Sequence, residues 1–87
     1  MIESISIKDL KLELGALCKQ KRKSYDLSQE DLAVALGLSR FTIQKFENGK
    51  NSTLDTVFKI ANHFELLPQI LKGIKDLKDT DTNISLY

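Results

Sequence analysis

The sequence predicts an all-α fold of five helices, and three observations support this. Apolar residues recur every three or four positions over most of the 87-residue chain, which is the period of an amphipathic helix. Where such stretches begin, Ser is followed three residues later by Asp, a pattern typical of helix N-caps: Ser6 and Asp9, Ser28 and Asp31, Ser52 and Asp55. Strand signals are weak, because only the initial IESISI alternates.

These patterns divide the chain into an arm over residues 1–6, one helical domain over residues 7–77, and a polar tail over residues 78–87. The arm alternates, so a short edge strand and a disordered segment both fit it. The tail ends in DTDTNISLY, has no apolar period, and is expected to be a loose segment.

The first helix is predicted over residues 7–24, capped by Ser6. Four of its lysines are expected to point outward: Lys8, Lys11, Lys19 and Lys23. Its apolar stripe is expected to point inward: Leu10, Leu14, Leu17 and Cys18. We therefore interpret Cys18 as a small buried hydrophobic side chain and not as a nucleophile.

Two short helices follow, over residues 29–36 and 40–47. Ser28 caps the first and Gly37 ends it, since glycine tolerates the left-handed conformation of a sharp exit. Ser39 caps the second, and Asn48-Gly49 ends it. The predicted inward residues are Leu32, Ala33, Leu36, Ile43 and Phe46.

A fourth helix is predicted to be capped by Ser52, and a fifth to follow Pro68. The fourth is expected to bury Leu54, Val57, Ile60, Ala61 and Phe64. The fifth carries an apolar stripe that is either core cover or a dimer seam: Leu67, Ile70, Leu71, Ile74 and Leu77.

Composition excludes several classes of protein. Hydrophobic residues are 41% and charged residues 29%, as in ordinary globular chains. One Cys and one His predict neither an internal disulfide nor a metal site. We find no membrane-spanning run and no signal peptide, so we expect a cytoplasmic protein without a cofactor.

Charge is unevenly distributed along the chain. The net charge is +1 in total, but residues 19–50 hold seven basic side chains against four acidic ones. An electropositive middle third permits nucleic-acid binding without demonstrating it.

The helices at 29–36 and 40–47 are joined by Gly37-Leu38-Ser39, a short turn containing glycine. This spacing is typical of a helix-turn-helix, in which the second helix enters the major groove of DNA. Ala33 is small where the two helices must approach closely.

The stretch SQEDLAVALGLSRFTIQKFENGK resembles the lambda-repressor-like (Cro/CI-type) helix-turn-helix regulators. After this stretch, STLDTVFKIANHFEL resembles the fourth helix of that family. Before it, LGALCKQKR resembles the first helix. The similarity covers residues 10–66 without a gap.

The resemblance implies roles for individual residues. It implies base reading by one set of side chains on the third helix: Arg40, Phe41, Gln44 and Lys45. It implies phosphate contacts from the backbone N–H groups around Asn48 and from a second set of residues: Gln29, Thr42, Asn48 and Lys50. It also implies a partly buried ion pair between Arg22 and Glu47 that positions the third helix.

Three residues depart from the family pattern. Lys21 replaces a common apolar residue, so we expect its stem to be buried and its charged head to be exposed. Phe41 is bulky where small or polar residues are usual, and it either packs on a thymine methyl or leans on its own helix or a dimer neighbour. Glu65 stands where glycine often ends the fourth helix, so we expect a longer or tilted helix there.

The resulting hypothesis is a sequence-specific regulator that binds double-stranded DNA, a repressor acting as a homodimer on a palindromic operator. The alternative is an antitoxin that also binds a toxin protein, because FENGKNSTLDTVFKI resembles antitoxins paired with HipA-type kinases. A third possibility is a helix-turn-helix used only for protein contacts. No catalytic constellation is present, so we do not expect an enzyme.

Overall fold

The structure is a computed structural model that describes residues 4–85, with side chains described over residues 4–80. Its five helices are α1 (Ile7–Ser24), α2 (Gln29–Leu36), α3 (Arg40–Glu47), α4 (Leu54–His63) and α5 (Leu67–Ser85). No strand occurs among residues 4–85, so the predicted all-α architecture is confirmed. Of the predicted arm, residues 4–6 are non-helical and residues 1–3 lie outside the described part. No helix within the described residues is both long and apolar enough to cross a membrane.

Three of the predicted N-caps are present. The hydroxyls of Ser6 and Ser39 each accept the backbone N–H of the residue three positions later, at 3.0 Å. Ser28 and Asp31 form a reciprocal capping box, in which each side chain accepts the other residue's backbone N–H at 2.9 Å. These hydrogen bonds hold the pKa of the Asp31 carboxyl below its usual value.

The start of α4 differs from the prediction. Thr53, not Ser52, is the N-cap, and its hydroxyl accepts the N–H of Thr56 at 3.1 Å. The same hydroxyl donates to the Thr56 hydroxyl at 3.0 Å, a second bond that favours this register. Leu54 is then the first helical residue and is 67% exposed, so its predicted burial is wrong.

The core lies where α1, α2, α3 and α4 meet, and its buried side chains are Cys18, Leu32, Ala33, Ile43, Phe46, Ile60, Ala61 and Phe64. Burial, with a smaller contribution from Glu47, raises the pKa of the Cys18 thiol to about 11, so the thiol is neutral. Leu10 and Leu17 were expected in this core, but they are 61% and 40% exposed. Helical spacing places both on the side of α1 away from Gly15 and Arg22, two residues that contact α3, which explains their exposure.

The left-handed backbone conformation occurs at four described residues, Asp26, Gly37, Gly49 and Glu65, and two of these bear on the predictions. Gly37 ends α2 with φ +67°, as predicted. Glu65 follows α4 with φ +60°. The expected lengthening of α4 is therefore wrong: the helix ends at His63, and Glu65 adopts the conformation that glycine would take more readily.

The predicted loose tail is helical as far as Ser85, so this prediction is wrong for residues 78–85, while residues 86 and 87 lie outside the described part. No Pro or Gly follows Gly73, so nothing in the sequence terminates the helix. Lys72 pairs with Asp76 at 2.9 Å, one turn apart on an exposed surface.

Among the side chains described in α5, those up to Thr80, only the ones near its beginning are partly buried against the rest of the domain. Leu67 and Ile70 are partly buried, whereas every residue from Leu71 to Thr80 is exposed. Between α4 and α5 lies an open apolar groove of about 620 Å³, lined by Phe58, Asn62, Leu67, Pro68, Ile70, Leu71 and Ile74.

Candidate nucleic-acid interface

α2 and α3 form the predicted helix-turn-helix, and the core fixes the orientation of α3. Ile43 and Phe46 lie on its inner side and are 0% and 4% exposed. The Leu38 N–H donates to the Ala33 carbonyl at 2.9 Å, which closes the turn after α2. One side of α3 is thus buried, and the opposite side is open to a ligand.

The outer side of α3 presents three of the four residues expected to read bases. Arg40, Phe41 and Gln44 are exposed, and Phe41 is 66% exposed. Lys45 is half-buried, and its ammonium lies 5.5 Å from the centre of the Phe41 ring, within the range of a cation–π contact. Phe41 therefore contacts its own helix through Lys45 while most of its ring faces solvent.

The residues expected at phosphates flank this surface. Thr42 is half-buried, and its hydroxyl shares a 2.8 Å hydrogen bond with the Ser39 hydroxyl. Asn48 and Lys50 are exposed beyond the end of α3. Their side chains are accessible to a phosphate.

The backbone N–H groups around Asn48, also expected at phosphates, make hydrogen bonds within the protein. The N–H groups of Asn48, Gly49 and Lys50 donate to the carbonyls of Gln44, Phe46 and Lys45, at 3.1, 3.1 and 2.9 Å. These three N–H groups thus satisfy carbonyls at the end of α3, while the side chains of Asn48 and Lys50 stay exposed.

Beneath α3, Arg22 and Glu47 form a bidentate ion pair. Arg22 Nε donates to Glu47 Oε2 at 2.6 Å, and Nη2 donates to Oε1 at 3.0 Å. Each of the two residues is 6% exposed. Arg22 Nη1 also donates to the Leu27 carbonyl at 2.7 Å, so the guanidinium connects α1, the α1–α2 turn and the end of α3.

Gln29 joins the same network. Its Nε2 donates to Glu47 Oε1 at 3.0 Å, which ties the first turn of α2 to the end of α3. One N–H of this amide is therefore engaged inside the protein, and its second N–H remains for an external acceptor.

Sequence reasoning missed one polar contact beside this surface. Lys11 was expected to point away from the domain, but its ammonium donates to Asn51 Oδ1 in the α3–α4 loop. The two residues lie 40 positions apart, so no local pattern signals the contact. Asn51 is exposed and lines two shallow depressions beside α3, and both also include Phe41 and Lys45.

Comparison with known proteins agrees with this geometry. A family model described as Helix-turn-helix matches residues 19–71. The ImmF control region 10 kDa protein of Bacillus phage phi105 is 41% identical over 61 residues, which are 69% of this chain and 68% of that protein. A protein of Methanocaldococcus jannaschii, named an uncharacterized HTH-type transcriptional regulator, is 49% identical over 47 residues, 53% of this chain and 71% of that protein.

Longer archaeal relatives match as well. A Halobacterium salinarum protein, whose name places it among HTH-type transcriptional regulatory proteins, is 32% identical over 71 residues, 77% of this chain. The chain spans only 22% of the length of that relative, and 16% of the length of a similarly named protein from Methanoculleus marisnigri. The similarity to these proteins thus concerns one segment of each.

Proposed function

The chain belongs to the Helix-turn-helix family, and from this premise we propose that it is a sequence-specific transcriptional regulator that binds double-stranded DNA as a homodimeric repressor. The observation that carries the proposal is the two-sided α3, with Ile43 and Phe46 buried beneath it and Arg40, Phe41 and Gln44 exposed above. The proposed activity involves no catalysis, cofactor or membrane, and takes place in the cytoplasm.

In this proposal Arg40 and Gln44 read base edges in the major groove. They are four residues apart, so they project from the same face of α3. Arg can donate two hydrogen bonds to guanine O6 and N7, and Gln can pair with adenine N6 and N7. Phe41 offers an apolar surface to a thymine methyl, and Lys45, held over its ring, adds positive charge at the same place.

Phosphate contacts supply the remaining affinity. Lys50 offers a charge, while Thr42 and Asn48 offer neutral donors beside α3. Gln29 donates its second amide N–H to a phosphate while the first holds Glu47. The Arg22–Glu47 pair does not touch DNA in this arrangement, but it fixes the end of α3.

Dimerisation is proposed to use α5. Its exposed segment carries Leu71, Ile74 and Leu77, which are 52%, 46% and 67% exposed. A helix with an apolar stripe and no covering element favours association, because burial removes that stripe from water. A two-fold dimer would place two α3 helices in successive major grooves about 34 Å apart, on a palindromic site.

The test of DNA reading is selection of bound duplexes from a random library by the purified chain, repeated with Arg40→Ala and Gln44→Ala. We expect an enriched inverted repeat, with about 1–3 kcal/mol less discrimination at the position that each variant no longer reads. Glu30→Gln, an exposed change on α2, serves as the control and should keep the selected sequence. The proposal would be contradicted if the chain bound no duplex, or if both alanine variants selected the same sequence as the wild type.

The antitoxin alternative uses the same exposed stripe of α5 for a toxin protein. Sedimentation of the purified chain distinguishes the two. A dimer that Leu77→Glu converts to a monomer supports the homodimer, since a buried charge without a partner opposes association. A chain that stays monomeric at every concentration favours a different protein as the partner of α5.

A further inference from the structure

The contact between Lys11 and Asn51 connects the beginning of α1 to the loop that follows the proposed recognition helix. The Lys11 ammonium donates to Asn51 Oδ1, and both side chains are exposed. The family model begins at residue 19, so Lys11 precedes the matched segment. The family match therefore includes Asn51 but not Lys11.

This hydrogen bond fixes which end of the Asn51 amide faces outward. An ammonium has donors only, so it can bind the carbonyl oxygen of the amide and not its NH₂ group. The NH₂ group therefore points away from Lys11, and no other hydrogen bond engages it within the described residues. Asn51 borders both depressions beside α3, where Phe41 and Lys45 also lie. Two N–H donors are thus presented next to the base-reading surface.

Other contacts from α1 hold the same loop in place. A Cβ added to Gly49 would lie 2.7 Å from Leu12 Cδ2, so Leu12 packs closely against the start of the loop. A Cβ on Gly15 would lie 2.8 Å from the Glu47 carbonyl oxygen, so α1 also lies directly against the end of α3. The loop that carries Asn51 is therefore supported by α1 on its protein side.

From this arrangement we propose that Asn51 donates its amide NH₂ to a backbone phosphate of bound DNA, and that Lys11 is the positioning residue that orients it. The inference rests on the proposed DNA-binding function. A neutral amide gives a phosphate contact that does not replace a counterion, whereas a lysine at the same place would replace one. This difference makes the two roles separable by salt dependence.

The experiment is a titration of the full chain with its selected duplex at several salt concentrations. Asn51→Ala should weaken binding about tenfold, the size expected for a hydrogen bond to a charged group, with the slope of log K against log salt unchanged. Lys11→Met should weaken binding in the same direction with the same slope, and the double variant should bind no more weakly than Asn51→Ala. Lys11→Arg keeps a donor for Asn51 and should restore binding.

Two further variants exclude a purely structural role. Asn51→Asp keeps an acceptor for Lys11 but has no donor for a phosphate, so it should bind at least as weakly as Asn51→Ala while its melting temperature stays at or above that of the wild type. Lys8→Met removes an equal charge one turn earlier on α1 and should leave affinity nearly unchanged.

The outcomes separate this inference from the proposed function. A wild-type chain that binds no duplex overturns both. A wild type that binds, with Asn51→Ala or Asn51→Asp binding equally well, overturns only the role of Asn51. A slope reduced by about 0.9 in Lys11→Met shows that Lys11 itself neutralises a phosphate, which overturns its positioning role.

Discussion

The α1–α3 region and α5 contain the same kinds of residue in opposite environments. The α1–α3 region has a glycine, Gly15, pressed against α3, and an ion pair, Arg22–Glu47, of which each partner is 6% exposed. α5 has a glycine, Gly73, with nothing within 4 Å of an added Cβ, and an ion pair, Lys72–Asp76, with side chains 76% and 62% exposed.

This contrast shows which region is held by contacts within the domain and which region leaves its apolar residues exposed. The orientation of α3 is fixed by a buried charge pair and by close contact between helices, and a change to one partner of either contact is expected to be costly. Beyond Ile70, α5 is a solvent-exposed helix whose apolar stripe has no cover within the described residues. The first region is therefore stabilised by contacts within the domain, and the second region is suited to an interface with another chain.

The largest effect is expected from breaking the buried ion pair. Glu47→Gln should lower the free energy of unfolding by about 3–5 kcal/mol, because it leaves the Arg22 charge buried without a counter-charge. The matched variant in α5, Asp76→Asn, should cost less than about 0.5 kcal/mol, since exposed pairs contribute little. Urea denaturation at a fixed protein concentration measures both.

The paired variant Arg22→Met with Glu47→Leu sharpens this result. Replacing both charges with apolar side chains should recover much of the stability lost in Glu47→Gln. Equal losses for Glu47→Gln and Asp76→Asn would contradict the contrast between the two regions, because burial would then make no difference to the two pairs.

Substitution by alanine should change the stability of the protein in opposite directions at the two glycines. Gly15→Ala should destabilise the fold by about 1–3 kcal/mol, because its Cβ would overlap backbone carbonyls of Phe46 and Glu47 that cannot move freely. Gly73→Ala should stabilise α5 by about 0.5–1 kcal/mol, because alanine has the higher helix propensity and there is room for its Cβ. Thermal unfolding that moves in the same direction for both would show that the surroundings of Gly15 do not limit its size.

The sequence predicted the order of the helices and the underside of α3 well, since both depend on short-range patterns. Ser28 with Asp31 forms a cap within four residues, and Gly37 ends a helix by its own conformation. Ile43 and Phe46 are spaced to share one face of α3. Such signals need no knowledge of the rest of the fold.

Features that depend on tertiary contact were not predictable in the same way. Leu10 and Leu17 lie on a regular apolar stripe, yet no neighbouring helix covers them. The Lys11–Asn51 contact joins residues 40 positions apart, and the lysine spacing on α1 gave no indication of it. The end of α5 was missed for a different reason: polar residues without a stop signal are compatible with both helix and loop.

A smaller effect is expected at the junction that joins the two regions. Glu65 has φ +60°, a conformation unfavourable for a residue with a Cβ. Glu65→Gly should raise the free energy of unfolding by about 0.5–1 kcal/mol after the greater flexibility of glycine in the unfolded chain is included. Glu65→Ala keeps the Cβ and is the control. Equal gains from both variants, measured by urea denaturation, would assign the effect to the carboxylate and not to the backbone.

The smallest effect expected is an acid dependence confined to the beginning of α2. The Ser28 backbone N–H and hydroxyl lower the pKa of Asp31 in the folded protein, so its ionised form stabilises the fold at pH values above the unfolded pKa of 3.8. That contribution is lost as the pH falls through the lowered folded value, because protonation then removes the charge that the capping box favours. Thermal unfolding from pH 6 to pH 2 should therefore show a shallower loss of stability for Asp31→Asn than for the wild type.

The control is Glu30→Gln, which changes a residue in the same turn that has no hydrogen bond to the cap, and it should follow the wild-type curve. If Glu30→Gln instead follows the curve of Asp31→Asn, the acid dependence comes from negative charge near the helix N-terminus and not from the cap geometry.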